Sequence, residues 1–325
     1  MDSLKKTAVW QMARDYAYHP LRRLMHMIQV QDHLPLFWHA GSNWGDSVNP
    51  LLAGMLSGRP VLNSELYCDC FMAVGSTLGL ANRHTRVWGS GMISPDDLPR
   101  EMPRSIHAVR GPLTRERLDA AKIPCPDIFG DPVLLLPRFY NPIVEKRFKV
   151  GIIPHYADRK SPWLDPLRAR PEVAIIDVLG DLLYFVRMIK SCDVILSSSL
   201  HGLISADAYG VPSVWIKLSD DVQGGDFKFR DYYLSTGCDH EGPAVVTVSS
   251  SLSGIAGRAR LSERLPDLAA LILSCPFLSD ALRREIVLFR ARSEGIPPTL
   301  KGCLDPDMQQ MLAGVTPAVR RVDKP

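Results

Sequence analysis

The stretch Asp193–Ile216 constrains the fold of this chain more than any other. Val194, Ile195 and Leu196 make an apolar run that suits a buried strand, and Ser197, Ser198 and Ser199 interrupt it. Leu200, Leu203, Ile204 and Ala208 then recur at helical spacing, Gly210 stops the helix, and Pro212 opens a second run, Val214, Trp215 and Ile216. Strand, helix and strand in one short span make a βα unit of a parallel sheet. His201 falls just inside the helix start. In open α/β sheets, ligands bind beyond the carboxyl ends of the strands, where helix N-termini offer unpaired N–H groups to anions. Two readings of His201 follow: it moves protons beside a phosphate or carboxylate, or it only caps and packs its own helix.

The same unit recurs along the chain. Leu34–Ala40 reads as a strand, Gly41–Asp46 as a turn, and Asp46 or Ser47 as the cap of a helix carrying Val48, Leu51, Leu52 and Met55. Phe71–Thr77, Val87–Met92 and Ile106–Thr114 are further strand endings, with Arg110 at the last of them and Pro112 as a first helical residue. Asp131 precedes a Pro-led apolar turn. Glycines in such turns let backbone N–H groups approach a ligand, but the pattern is not GxGxxG and predicts no dinucleotide site. Ordinary tight turns are the plainer alternative. Strand ends so often carrying Gly, Ser, Asp or Arg point to one shared crevice.

Between Pro137 and Lys149 the pattern breaks, and the domain boundary is placed there. Val150–Ile153, Val173–Val178 and Leu182–Lys190 open a second series of strands and helices. The expected layout is an appendage at 1–33, α/β domains at 34–143 and 144–260, and C-terminal helices with a tail at 261–325. Past Ile216, Lys217–Tyr233 reads as a loop holding Lys228 and Arg230, followed by a helix from Asp231. Cations on a loop after a strand suit a phosphate or carboxylate; a solvated surface loop is the alternative.

Composition narrows the function classes. The 325 residues suffice for two domains, and 46% hydrophobic with 22% charged residues is ordinary for a globular protein with a full core. A net charge of only +3 gives no reason to expect nucleic acid. Seven cysteines are scattered without zinc or disulfide spacing, so reduced thiols, a cytoplasmic location and no metal are expected. No apolar stretch approaches the ~20 residues of a membrane span, and the N-terminus lacks the apolar core of a signal peptide. Within residues 1–33, Pro20 can open a helix with Leu21, Leu24, Met25 and Ile28 on one face and Arg22, Arg23 and His26 off it. Such a basic amphipathic helix rests on an anionic membrane or packs on protein. The oligomeric state is left open.

Taken in order, Asn43–Asp46, Val74–Thr77, Trp88–Gly91, Arg110–Thr114, Gly130–Val133, Ser198–Gly202 and Phe227–Tyr233 resemble the polysaccharide pyruvyltransferase family. The ordered set carries the resemblance, which spans residues 36 to 236 and is strongest to bacterial exopolysaccharide ketal pyruvate transferases of the xanthan and succinoglycan type. It implies two Rossmann-like domains facing a cleft, GT-B-like, with phosphoenolpyruvate as donor and no further cofactor. The acceptor it implies is a sugar on a polyprenyl-diphosphate-linked oligosaccharide, and the product a cyclic pyruvate ketal. The protein would then sit in the cytoplasm, peripherally attached to the inner face of the membrane.

The resemblance also makes His201 the essential histidine. Asp46 joins it as a catalytic candidate. Many relatives carry arginine two residues before that histidine, where this chain has Ser199. Donor contacts are therefore expected from Ser199, Leu200, Arg110, Lys217, Lys228 and Arg230. Asn43, Gly45, Ser76, Ser90, Asp131 and Asp231 are expected to line the acceptor side of the cleft. The alternatives are a GT-B glycosyltransferase using a nucleotide sugar, or a non-catalytic glycan-binding protein on the same scaffold.

Overall fold

The computed structural model describes residues 32–39, 43–238, 242–290, 297, 298 and 300. The candidate helix of residues 20–30 lies outside them. Among the described residues, ten strands form two parallel sheets. The first sheet holds β1 (Leu34–Phe37), β2 (Val61–Asn63), β3 (Cys70–Met72), β4 (Thr85–Trp88) and β5 (Ser105–Ala108), in the spatial order β2-β1-β3-β4-β5. The second holds β6 (Phe148–Ile153), β7 (Val173–Ile175), β8 (Cys192–Ser197), β9 (Ser213–Lys217) and β10 (Ala244–Val245), in the order β10-β9-β8-β6-β7. Counted within each half, both orders are 2-1-3-4-5, one topology used twice. Parallel strands covered on both faces need continuous apolar runs. Ile152, paired to Leu196, and Leu196, paired to Val214, meet that need as fully or nearly fully buried residues.

Eight α-helices connect and cover the sheets among the described residues: α1 (Trp44–Ser57), α2 (Pro112–Ala120), α3 (Leu182–Lys190), α4 (Leu200–Ala208), α5 (Phe227–Ser235), α6 (Leu252–Ala256), α7 (Leu268–Leu273) and α8 (Asp280–Arg290). The cap of α1 is Asn43, earlier than Asp46 or Ser47; its side chain accepts from the Asp46 N–H at 3.1 Å. Asn and Asp at that position hold one of the N–H groups a helix start leaves unpaired. Pro112 is a first-turn residue of α2, as its missing N–H favours. The segment 227–230 is helical, so Lys228 and Arg230 stand on α5 and not on a loop. Phe229 explains this: its ring stacks on Trp215 at 4.5 Å between centroids and pins the first turn to β9.

The halves are joined by apolar packing. Asp131 caps a short 3-10 helix, Pro132–Arg138, by accepting from the Val133 N–H at 3.0 Å. Gly130 precedes it at φ 138, a backbone conformation that glycine adopts without strain. The buried Val133–Leu136 of this helix share one core with Leu200, Leu203 and Ile204 of α4. Beside it, Trp44 stacks on Phe185 of α3 at 4.7 Å and donates from Nε1 to the Leu182 carbonyl. Both rings are 1% exposed, so truncating either to alanine costs about 3–5 kcal/mol. α7 returns to the first half, where its Leu271 carbonyl accepts from Trp88 Nε1 at 2.8 Å.

Candidate functional site

A 2-1-3-4-5 sheet has its switch point between its first and third strands, where successive connections leave in opposite directions and open a crevice. In the first half that point lies between β1 and β3, and in the second between β6 and β8. The two crevices meet. The His201 ring, from the first turn of α4 beyond β8, lies flat against Gly45, from the first turn of α1 beyond β1. A Cβ at Gly45 would fall less than 3.0 Å from the ring, so only glycine admits the histidine there.

His201 Nε2 stands 3.5 Å from Asp131 Oδ2. The Asp131 side chain is 0% exposed and that of His201 13%. Neither facing atom has a hydrogen-bond partner, although the other oxygen, Asp131 Oδ1, is occupied by the Val133 N–H. Buried polar atoms are seldom left unpaired, and this pair needs only a short approach to bond. A carboxylate opposite Nε2 holds the imidazole proton on that nitrogen and leaves the lone pair on Nδ1. Asp46, the expected catalytic partner, is buried in the first turn of α1, where its Oδ2 accepts from Asn43 Nδ2 at 2.6 Å and its other oxygen borders Gly75. Asp131, expected on the acceptor side, is the carboxylate that faces His201 Nε2.

The expected donor cations separate once their surroundings are seen. Arg110 is 0% exposed, and all of its visible bonds are internal. Its Nε donates to Asp231 Oδ2 at 3.0 Å, Nη1 to Ser76 Oγ at 2.6 Å and Nη2 to the Met92 carbonyl at 2.7 Å. Arg110, expected at the donor, bridges the halves through these bonds. Asp231 likewise leaves the cleft set. Its carboxylate accepts from the Thr114 N–H at 2.8 Å and Thr114 Oγ1 at 2.7 Å, so α5 caps α2 of the other half. Gly111 makes room for it, since a Cβ there would overlap the Asp231 backbone oxygen. Lys217 pairs with Asp220 at 2.6 Å, which raises its pKa, and Arg230 is exposed on the outer side of α5.

Lys228 differs from these. It is 7% exposed, with its ammonium over the Phe229 ring at 5.5 Å, and burial first, then Arg110, lower its pKa to about 8. Ser199 is the N-cap of α4 and Leu200 its first residue; no side chain caps this helix, so its first N–H groups lack intrahelical partners. Ser90 is fully buried and bonded to the Gly75 carbonyl at 2.9 Å, bracing the loop after β3 and not lining the crevice. Ser76 is half-buried beside it and tied to Arg110.

One group near the site had no role in the sequence reading. His155 ends β6, its N–H donates to Ser198 Oγ at 2.9 Å, and Ser198 in turn donates to the buried Asp158. Burial, and then Lys228, push its imidazole down to about 4, against a smaller opposing effect of Asp158. Its place at a strand end, like that of Arg110 and His201, was the signal available in the sequence. A cavity of about 40 Å³ adjoins this region, lined by Ser198, Trp215, Lys217 and Phe229 among others. A larger one of about 570 Å³, bordered by Lys149, Trp163, Arg170 and Ser251, lies at the opposite end of the second sheet and does not include His201.

Residues 102–220 match the profile of the family described as polysaccharide pyruvyl transferase. The chain is 30% identical over 241 residues to the succinoglycan biosynthesis protein ExoV of Rhizobium meliloti, covering 70% of this chain and 72% of that one. It is also 30% identical over 215 residues to the uncharacterized protein L143 of Acanthamoeba polyphaga mimivirus, covering 61% and 72%. A crystal structure of an uncharacterized protein from Klebsiella pneumoniae is similar over 72% of this chain and 98% of that one. Its TM-score is 0.39 at 10% identity, too low to argue from. With its matched segment running through Arg110, Asp131 and His201, the chain belongs to the polysaccharide pyruvyl transferase family.

Proposed function

We propose that the protein moves the pyruvyl unit of phosphoenolpyruvate onto two hydroxyls of one sugar, releasing phosphate and leaving a cyclic ketal. The observation that carries this is the His201–Asp131 pair, buried where the two switch points meet. With its proton held on Nε2 by Asp131, His201 accepts the proton of the first sugar hydroxyl at Nδ1. The hydroxyl oxygen bonds to C2 of the donor, and the proton taken by Nδ1 is passed to C3, which becomes a methyl group. A second hydroxyl then attacks C2, the bond from C2 to the phosphate oxygen breaks, and the remaining proton leaves with phosphate. Negative charge on phosphate and carboxylate is met by the uncapped N-terminus of α4.

On this reading the halves face each other in a GT-B-like manner, each supplying one switch point. The acceptor is a lipid-linked oligosaccharide met at the inner face of the plasma membrane. Among the described residues no helix is long and apolar enough to cross a membrane. The test is incubation with phosphoenolpyruvate and a lipid-linked oligosaccharide. Phosphate release matched by a pyruvyl mass gain on the glycan is the expected result. Glycan extension from a nucleotide sugar, with phosphoenolpyruvate untouched, would replace this reading by glycosyl transfer.

A further inference from the structure

Four cations stand near the site, and the structure occupies three of them otherwise. Arg110 is spent on Asp231, Ser76 and Met92; Lys217 pairs with Asp220; Arg230 faces solvent. Lys228 is buried like Arg110, but no carboxylate or carbonyl among the described residues hydrogen-bonds its ammonium. Burying an ammonium without an anion is costly, and proteins accept that cost where a ligand supplies the anion. Lys228 reaches the same strand end through Phe229, whose ring stacks on Trp215, the register partner of Ser197. His155 Nδ1 accepts from the Ala157 N–H at 3.3 Å, which leaves the neutral ring its proton on Nε2. Tyr156 lies over that ring at 4.1 Å between centroids and fixes its plane. Through its backbone, His155 is bonded to Ser198, just ahead of the uncapped start of α4.

We propose that Lys228 and the Nε2–H of His155 form the seat of the donor's anionic group, completed by the first N–H groups of α4. The inference rests on the pyruvyl-transfer reading for the donor's name, but the seat itself is defined by charge and would take a phosphate of any origin. α5 then has two tasks. Asp231 bolts it to the first half, and Lys228, one turn earlier on the same buried side, is thereby held in the crevice.

Calorimetric titration of the full-length protein with phosphoenolpyruvate and, separately, with inorganic phosphate tests this without acceptor or turnover. Lys228→Gln is expected to weaken both at least about tenfold, the loss of one charge-assisted bond. His155→Gln is expected to weaken them less, and Lys217→Gln and Arg230→Gln to leave them within about twofold. Because Lys228→Gln changes a buried residue, its thermal midpoint is measured alongside. The wild-type protein provides a second arm: mass mapping of acetylated lysines, where either anion should slow acylation of Lys228. Undiminished affinity in folded Lys228→Gln, or acylation of Lys228 unaffected by both anions, overturns the seat. Phosphate binding that depends on Lys228, with no binding of phosphoenolpyruvate, upholds the seat and overturns the donor named above.

Discussion

Replacing Asp231 with alanine isolates the bridge between the halves. Asp231 and Arg110 are each 0% exposed at the side chain, and the carboxylate also takes both donors of Thr114. Removing one partner of a buried ion pair costs about 3–5 kcal/mol, because the other charge is left without compensation. Loss of the cap on α2 adds about 1 kcal/mol. Together the loss is about 5 kcal/mol, a large share of the roughly 5–15 kcal/mol that holds a domain folded. Adding Arg110→Met removes the stranded guanidinium and should return about half of the loss or more, so the double variant is more stable than Asp231→Ala alone. Urea unfolding followed by tryptophan fluorescence measures all three, since the ring of Trp44 lies in the same joint. A loss below about 1 kcal/mol for Asp231→Ala, or a double variant no better than that single one, would refute the bridge as the load between the halves.

Gly45→Ala should cut turnover at least about a hundredfold while changing stability little, because its Cβ displaces the His201 ring and a 1 Å misplacement is enough; near-normal kcat would show that the ring has room to move. Asp131→Asn keeps the shape and the cap to Val133 but loses the charge facing His201. It should lower kcat about 10²–10⁴-fold with KM for phosphoenolpyruvate little changed, and a normal kcat would assign Asp131 to structure alone. Donor affinity should fall as pH rises through about 8, where Lys228 in the folded protein loses its proton. The groups beside it do not reverse that sign: Arg110 and Asp231 are paired with each other, and His155 is already neutral above about 4. Between about 8 and the ordinary lysine value of 10.5 the unfolded chain holds a proton that the folded one lacks, so this lysine's contribution to stability rises with pH as affinity falls. Affinity constant from pH 7 to 10 would sink the assignment.

Much of the fold was legible because local pattern encodes it. Val194–Leu196 is apolar on both faces and Gly210 follows a helical spacing, so strand, helix and strand could be read without neighbours. Pro112 announced the start of α2 in the same way. The edge strands β2 and β10, at three and two residues, are too short to show a period. Around Lys228 and Arg230 the local signal is that of a loop, set by Gly224 and Gly225, while the Phe229–Trp215 stack that organises α5 is a long-range contact.

By itself, the sequence determined two series of βα units and the position of His201 beyond a strand end, since both depend on residues close along the chain. Which carboxylate faces His201, and which cation stays free, only the tertiary structure decided. Asp46 and Asp131 look alike as strand-end acids, but α1 turns one toward Asn43 while the 3-10 helix turns the other toward His201. Arg110 looks like the better anion ligand, but Asp231 from the other half pairs with it, while the equally buried Lys228 has no carboxylate partner among the described residues. Charge pairing in a buried joint depends on which groups packing brings within a few ångströms, and residues more than a hundred positions apart carry no local trace of that meeting.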